Sequence, residues 1–209
     1  MSGPREVLAF WFGEPAHDDA TFRAKIRRWY MGGSTLDREI SEQFGAVIDE
    51  ALAGRLERWA DSPRDRVALI VVLDQFTRSI YRDDPQTYAG DEAAQAVTVD
   101  ALDRGLECEL SIEERLFLNM PLLHAESLDH QERGVREMER LVAEAPAWAK
   151  PVLAMGVEQA HKYRGVIARF GRFPHRNQIL GRASTPDEAA FLVDWKQRQP
   201  PTGAHDPPA

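Results

Sequence analysis

Apolar side chains recur along most of the chain at the three- and four-residue spacing of an amphipathic α-helix. A first helix is predicted from Pro4 to about Phe12, where the spacing gathers Leu8 and Trp11 on one side. Comparable patterns predict further helices at about 18–30, 34–52, 62–82, 89–102, 111–120, 124–143, 152–170 and 185–195. Because no strand-like alternation interrupts these segments, we expect an all-α fold of about eight to ten helices, stacked as antiparallel pairs.

Capping residues and prolines between these segments support the same division into helices. Ser62 is followed by Pro63, which suits a helix N-cap and first helical position. Ser111 and Thr185 are each followed three residues later by a glutamate, the spacing of a capping box. We expect one domain over residues 1–198, and a disordered tail over the proline-rich residues 199–209.

The segment from Val67 to Leu73 differs from the others because it is apolar on every side. Alone, such a run is also typical of a buried strand. Its continuation through Arg82 keeps helical spacing, so we interpret the whole segment as a buried central helix. Asp74 and Arg78 then lie one turn apart, where opposite charges attract.

Composition and charge narrow the function classes. The chain has 209 residues and a formal net charge of −8, which disfavours bulk attraction to nucleic acids or anionic membranes. Cys108 is the single cysteine, so an intramolecular disulfide and an all-cysteine metal cluster are excluded. No segment reads as a membrane span or a signal peptide, so cytoplasmic residence is the expectation.

Positive charge is concentrated near the C-terminus of this acidic chain. Residues 159–186 contain six Lys or Arg and no Asp or Glu. Four of the arginines lie between Arg169 and Arg182, interleaved with His175, Asn177 and two phenylalanines. Such a concentration of cations needs either carboxylates from elsewhere in the fold or an anionic ligand.

Three polar clusters in apolar surroundings are the candidate chemistry: the central helix around Asp74, the segment after Met120, and the Arg/His stretch. One hypothesis is a pocket in which guanidinium groups hold a phosphate or carboxylate and imidazoles transfer protons. The candidate ligand-binding residues are Asp74, Gln75, Arg78, Glu126, Arg172, Arg176, Asn177 and Arg182. The candidate catalytic residues are His124, His161 and His175.

Other interpretations remain open for the same residues. The clusters also suit a buried ion network in which Asp74 and Glu126 neutralise arginines, since buried charges are normally paired. Glu158 and His161 have the Glu-x-x-His spacing of metal-binding bundles, but a single copy beside arginines predicts no metal. The aromatic residues among the arginines are better explained as core packing than as base stacking, so nucleic acid is not an expected partner. No phosphate-binding or nucleophile motif is present, and no cofactor is expected.

Four stretches of the chain together resemble a known family. They are Val7–Gly13, Leu73–Arg82, Met120–Glu126 and Arg169–Ser184. In this combination the chain is similar to the bacterial domain-of-unknown-function 924 family. The resemblance implies an all-α fold related to tetratricopeptide repeats, a right-handed superhelix of helix pairs. The family has no established activity, so it assigns no catalytic residue.

Two functions follow as expectations. The first is an Arg/His-lined pocket for a small anionic molecule, in a protein that could act as a metal-independent hydrolase or transferase. It predicts that Arg78, His124, Arg172 and His175 converge. The second is a helical scaffold that binds a peptide or protein in an open groove. It predicts exposed aromatic side chains, with Trp29, Trp59 and Trp148 as the candidates.

Overall fold

A computed structural model describes residues 2–198 of the protein, with side chains described to residue 195, and it confirms the all-α prediction. The helices are α1 (Pro4–Phe12), α2 (Asp19–Met31), α3 (Gly33–Leu52), α4 (Pro63–Ile70), α5 (Thr77–Ile80), α6 (Asp91–Asp103), α7 (Ile112–His124), α8 (Leu128–Glu144), α9 (Lys150–Phe170) and α10 (Pro186–Arg198). Residues 2–198 contain no strand. None of the helices in this range has the length and apolarity needed to cross a bilayer. The predicted tail 199–209 lies outside the described residues, and the superhelical arrangement stays a prediction.

Side-chain caps set the beginnings of several helices as the sequence indicates. Ser62 accepts a hydrogen bond from the backbone N–H of Asp65, and Pro63 begins α4. Ser111 and Glu114 form the reciprocal bonds of a capping box at α7. Thr185 and Glu188 do the same at α10. Each cap satisfies backbone donors that the first helical turn leaves without a partner.

The predicted end of a helix before Pro121 is wrong, because α7 continues through this proline to His124. A proline inside a helix removes one backbone hydrogen bond. Buried side chains bond to other carbonyls of this part of the chain: the Thr98 hydroxyl donates to the Leu118 carbonyl at 3.0 Å, and the Gln131 amide donates to the carbonyls of Leu123 and Ala125. His124 therefore lies in the last turn of α7 and not at the start of the next helix.

The central helix runs without a break from Pro63 to Ile80 and is buried as predicted, but its middle is not α-helical. Between α4 and α5, Val71–Phe76 forms a π-helical segment. Its residues lie against α1, α3, α6 and α7. Asp74 belongs to this segment and is completely buried. A π segment inside an α-helix is rare and often lies at a functional site.

Aromatic side chains join the N-terminal helices to this centre. The rings of Trp11 and Trp29 both contact Phe117 edge-on, and Trp11 also contacts Phe76. The indole N–H of Trp29 donates to the Trp11 carbonyl at 2.8 Å. Such contacts add to the burial of apolar area that holds α1 and α2 on the core.

Gly90 allows α6 to begin directly against the π segment. A Cβ at this position would lie 2.2 Å from the Leu73 carbonyl oxygen, which is much too close for any side chain. The contact places Asp91, the first residue of α6, beside the central helix. The missing side chain of Gly90 is therefore a condition for the charge cluster around Asp74.

We predict that Gly90→Ala lowers the free energy of unfolding by about 1–3 kcal/mol, because the added methyl forces α6 away from Leu73. Gly45→Ala in α3 is the matched control, since its Cβ meets nothing within 4 Å. At position 45 alanine should raise the free energy of unfolding by about 0.5–1 kcal/mol. Urea denaturation measures both, and a Gly90→Ala protein as stable as the control contradicts the proposed close approach.

Candidate functional site

The carboxylate of Asp74 is the centre of a buried polar cluster. His124 Nδ1 lies 2.8 Å from Asp74 Oδ1, and Arg78 Nη1 lies 3.0 Å from the same oxygen. The Gln75 amide donates to Asp74 Oδ2 at 2.6 Å. Arg78 also donates to the Asp74 backbone carbonyl. Three side chains from two helical segments thus converge on one carboxylate.

These contacts keep Asp74 ionised. Burial by itself raises the pKa of this carboxyl, but Arg78, His124 and the Gln75 amide outweigh burial and lower the pKa to about 2. An ionised carboxylate only accepts hydrogen bonds, so His124 Nδ1 must carry the proton between them. In the neutral ring, Nε2 is then the atom with a lone pair for a second proton.

A second carboxylate joins the cluster from α6. Asp91 lies between two guanidinium groups, with Oδ1 2.8 Å from Arg78 Nη2 and Oδ2 3.2 Å from Arg176 Nη1. The rings of Tyr88 and Phe173 lie against the Arg176 guanidinium at 4.5 and 4.6 Å. This aromatic contact favours a buried cation.

The two aspartates have different electrostatic surroundings. Desolvation raises the pKa of Asp91, and Arg78 and Arg176 oppose this effect without overcoming it. The nearby negative charge of Asp74 adds to the rise. Two carboxyl groups with oppositely shifted pKa values in one buried cluster are a common feature of acid/base sites.

Helix α8 fixes the position of His124. Gln131 is fully buried, and its amide donates to the carbonyls of Leu123 and Ala125, on either side of His124. Gly134 permits a close approach, because a Cβ there would lie 2.7 Å from a Leu123 methyl group. The imidazole is therefore held through its backbone as well as through Asp74.

The segment 171–185 folds largely on its own side chains and on Glu126. Glu126 accepts from the backbone N–H of Phe173 at 2.8 Å and forms a bidentate ion pair with Arg182. Although desolvation opposes it, Arg182 lowers the pKa of the Glu126 carboxyl. Asn177 donates to Ser184 and accepts from Arg182. These bonds give the segment the shape that delivers Arg176 to Asp91.

Arg172 lies at the outer side of this segment and pairs with α10. Its guanidinium donates to both oxygens of Glu188, at 2.7 and 2.9 Å. This bidentate bond lowers the pKa of Glu188 to about 2. The same carboxylate caps α10 by accepting from the Thr185 backbone N–H. Arg172 thus attaches α10 to the segment.

The predicted site residues fall into separate groups in the structure. Asp74, Gln75, Arg78, His124 and Arg176 form one buried cluster. Glu126, Arg172, Asn177 and Arg182 form a second group that holds the segment 171–185. His175 is half-buried, and its ring stacks on Trp195 at 6.2 Å. His161 lies elsewhere, on the exposed side of α9, with Nε2 3.2 Å from Glu139.

Within the described residues, carboxylates from elsewhere in the fold pair with these arginines, and the sequence does not reveal two of the acids. Asp91 pairs with Arg78 and Arg176, and Glu188 pairs with Arg172. Glu188 was identified as part of a capping box but not as a partner of an arginine. Asp91 follows Gly90 at the start of an alanine-rich helix, and no local pattern connects it with residues 78 or 176.

Residues 2–195 contain no group of three His, Cys, Asp or Glu side chains placed to hold a metal ion. Glu158 and His161, the Glu-x-x-His pair, are both exposed on α9.

The Glu188 carboxylate should make stability depend on pH in a defined direction. Its pKa in the fold is about 2 against an ordinary 4.5, so its contribution is complete above 4.5 and is lost as the pH falls. We predict that the difference in Tm between wild type and Glu188→Gln narrows between about pH 6 and about pH 3. Glu42 is exposed, so Glu42→Gln is the control and should differ little in Tm from wild type at every pH. A difference in Tm between wild type and Glu188→Gln that does not change with pH would contradict the ion pair of Glu188 with Arg172.

Comparison with known proteins places the chain in a family. Residues 7–195 match the family described as bacterial protein of unknown function (DUF924). A solved structure of a protein of unknown function from Agrobacterium tumefaciens is 27% identical, with a TM-score of 0.75 over 91% of this chain and 97% of that chain. A search of curated proteins gave no match. The fold and the match over nearly the whole chain agree with the resemblance seen in the sequence, and the protein belongs to the bacterial DUF924 family.

Proposed function

We propose that the protein is an enzyme, a hydrolase or transferase, in which His124 transfers a proton on a small anionic substrate. The observation that carries this proposal is the hydrogen bond between His124 Nδ1 and the fully buried Asp74 carboxylate. A carboxylate at Nδ1 fixes the ring orientation and stabilises the imidazolium that forms when Nε2 accepts a proton. This is the role of the carboxylate in catalytic acid/base pairs.

A purely structural explanation accounts for less of the cluster. An ion pair between Asp74 and Arg78 would be enough to join neighbouring turns of one helix. Burying such a pair gives little net stability, because desolvation offsets most of the attraction. The cluster adds an imidazole, a second guanidinium and a π segment, which are features of functional sites.

The proposed chemistry assigns one role to each side chain. His124 Nε2 accepts the proton of an attacking water or hydroxyl as that oxygen bonds to the acyl or phosphoryl centre. The imidazolium then returns the proton to the leaving group as the original bond breaks. Arg78 and Arg176 hold the anionic part of the substrate through charge-assisted hydrogen bonds.

We expect a small molecule to reach the cluster beside two half-buried side chains, Gln75 and Tyr88. Gln75 is bonded to Asp74, and Tyr88 lies against the Arg176 guanidinium, yet both side chains reach the surface in part. Glu126, Arg172, Asn177 and Arg182 are left out of the proposed ligand set, because their contacts shape the segment that carries Arg176. His175 and His161 are left out, because the contacts of the described residues join His175 to Trp195 and His161 to Glu139.

The alternative, a scaffold for a peptide, is not supported by the aromatic residues that would carry it. Trp29 is buried in the core, and Trp59 and Trp148 are half-buried and packed against it. A groove that binds through exposed aromatic anchors needs such side chains on its surface.

We predict that members of a panel of small phosphorylated and carboxylated compounds raise the Tm of the wild-type protein, because ligand binding stabilises the native state. Arg176→Gln should lose this increase. Arg172→Gln should retain it, since Arg172 pairs with Glu188 outside the cluster. A panel without any stabilising anion, or an equal loss in both variants, contradicts the assigned site.

We also predict that wild-type protein hydrolyses the anionic ester p-nitrophenyl phosphate. His124→Gln should lower kcat by about 10²–10⁴-fold, the usual contribution of a general base. His161→Gln is the matched control, because this imidazole is exposed and paired with Glu139. Equal rates for the two variants contradict the role of His124.

A further inference from the structure

We propose that Asp91 occupies the position of the ligand's anionic group, and that the natural ligand is a small carboxylate which replaces the Asp91 carboxylate between Arg78 and Arg176. Asp91 takes up one proton as it leaves. This inference rests on the proposed function for the arginines but adds the ligand class and the exchange with an internal acid.

The first support is the geometry of the Asp91 carboxylate. One of its oxygens faces each guanidinium, 2.8 Å from Arg78 Nη2 and 3.2 Å from Arg176 Nη1. A planar group with two oxygens is therefore the shape that this space already accepts. A ligand carboxylate reproduces both contacts, whereas a tetrahedral phosphate is larger than the group that it would replace.

The second support is that Asp91 fills this position imperfectly. Asp91 is nine-tenths buried, and its Oδ1 accepts no hydrogen bond from the described residues despite its short distance to Arg78. Leaving a buried acceptor without a hydrogen bond is unfavourable. A carboxylate that is not attached to the backbone of α6 can adopt the in-plane orientation and recover this bond.

The third support is the position of Asp91 in its helix. It is the first residue of α6, directly after Gly90, and its side chain is 12% exposed. At a helix N-terminus the side chain can rotate away from the two guanidinium groups, while staying buried beside Asp74, without breaking backbone hydrogen bonds of the helix. The exchange then requires a side-chain rotation and leaves the helices in place.

Charge balance explains the uptake of a proton. Asp91 is faced by Arg78 from α5, Asp74 from the π segment, His124 from α7 and Arg176 from residues 174–176. An anion that enters while Asp91 stays ionised would add a third negative charge beside two guanidinium groups. Protonation of Asp91 keeps the charge of the cluster constant, and the raised pKa of Asp91 makes this protonation less costly.

Asp91→Ala tests the carboxylate site directly. Removal of the side chain leaves a space of carboxylate size between the two guanidinium groups, so sodium formate and sodium acetate should raise the Tm of this variant more than that of wild type. Sodium chloride at equal ionic strength and inorganic phosphate should not reproduce the effect. Asp100→Ala, which removes a half-exposed carboxylate paired with Arg66, is the control and should show only the effect of salt.

Asp91→Asn, which keeps the size of the side chain, tests the exchange. For wild type, calorimetric affinity for acetate should fall as the pH rises, by up to about tenfold per pH unit. For Asp91→Asn the affinity for acetate should not change with pH, since no proton is taken up. At neutral pH this affinity should exceed that of the wild-type protein.

The outcomes separate this inference from the proposed function. No carboxylate-specific stabilisation of Asp91→Ala, or the same pH dependence in wild type and Asp91→Asn, overturns the exchange. If wild type then still binds phosphorylated compounds through Arg176, the proposed function survives this result. Stabilisation of Asp91→Ala by formate, together with hydrolysis that does not depend on His124, supports the carboxylate site and overturns the proposed enzyme.

Discussion

The negative charge of Asp74 is buried at the centre of the molecule, and much of the fold supplies the groups that stabilise it. Asp74 is fully buried on a π segment and is ionised, so it needs donors on every side. Arg78 comes from the next turn, and His124 reaches it only because α7 continues through a proline. Asp91 balances Arg78 because Gly90 lets α6 begin against the π segment. The proposed proton transfer uses the same contacts that satisfy this charge.

The Arg/His stretch is held in shape by acids that come from other parts of the chain. Glu126 and Glu188 neutralise Arg182 and Arg172. With those charges paired, the segment 171–185 has a fixed shape, and Arg176 alone of its arginines pairs with the buried Asp91. Arg172 and Arg182 therefore hold the shape of the segment, and Arg176 completes the site.

Local patterns in the sequence predicted the helices well, because caps, glycines and apolar spacing act over a few residues. The π segment could not be predicted, since Val67–Leu73 is apolar on every side and has no periodicity that would separate a π-helix from an α-helix. The continuation of α7 through Pro121 runs against the usual effect of proline, so the neighbouring residues do not predict it. The pairing of Asp91 with Arg176 is a tertiary contact. His161 is a candidate by residue type alone, and packing places it on the exposed side of α9 beside Glu139.

The most direct test of the account is the protonation pattern of the His124 ring, observed by ¹⁵N NMR of imidazole-labelled protein. The account predicts a proton on Nδ1, which faces the Asp74 carboxylate, and a change in the Nε2 signal when a small carboxylate binds. A ring with its proton on Nε2, or a signal that no anionic ligand changes, would contradict a proton-transferring pair of Asp74 and His124.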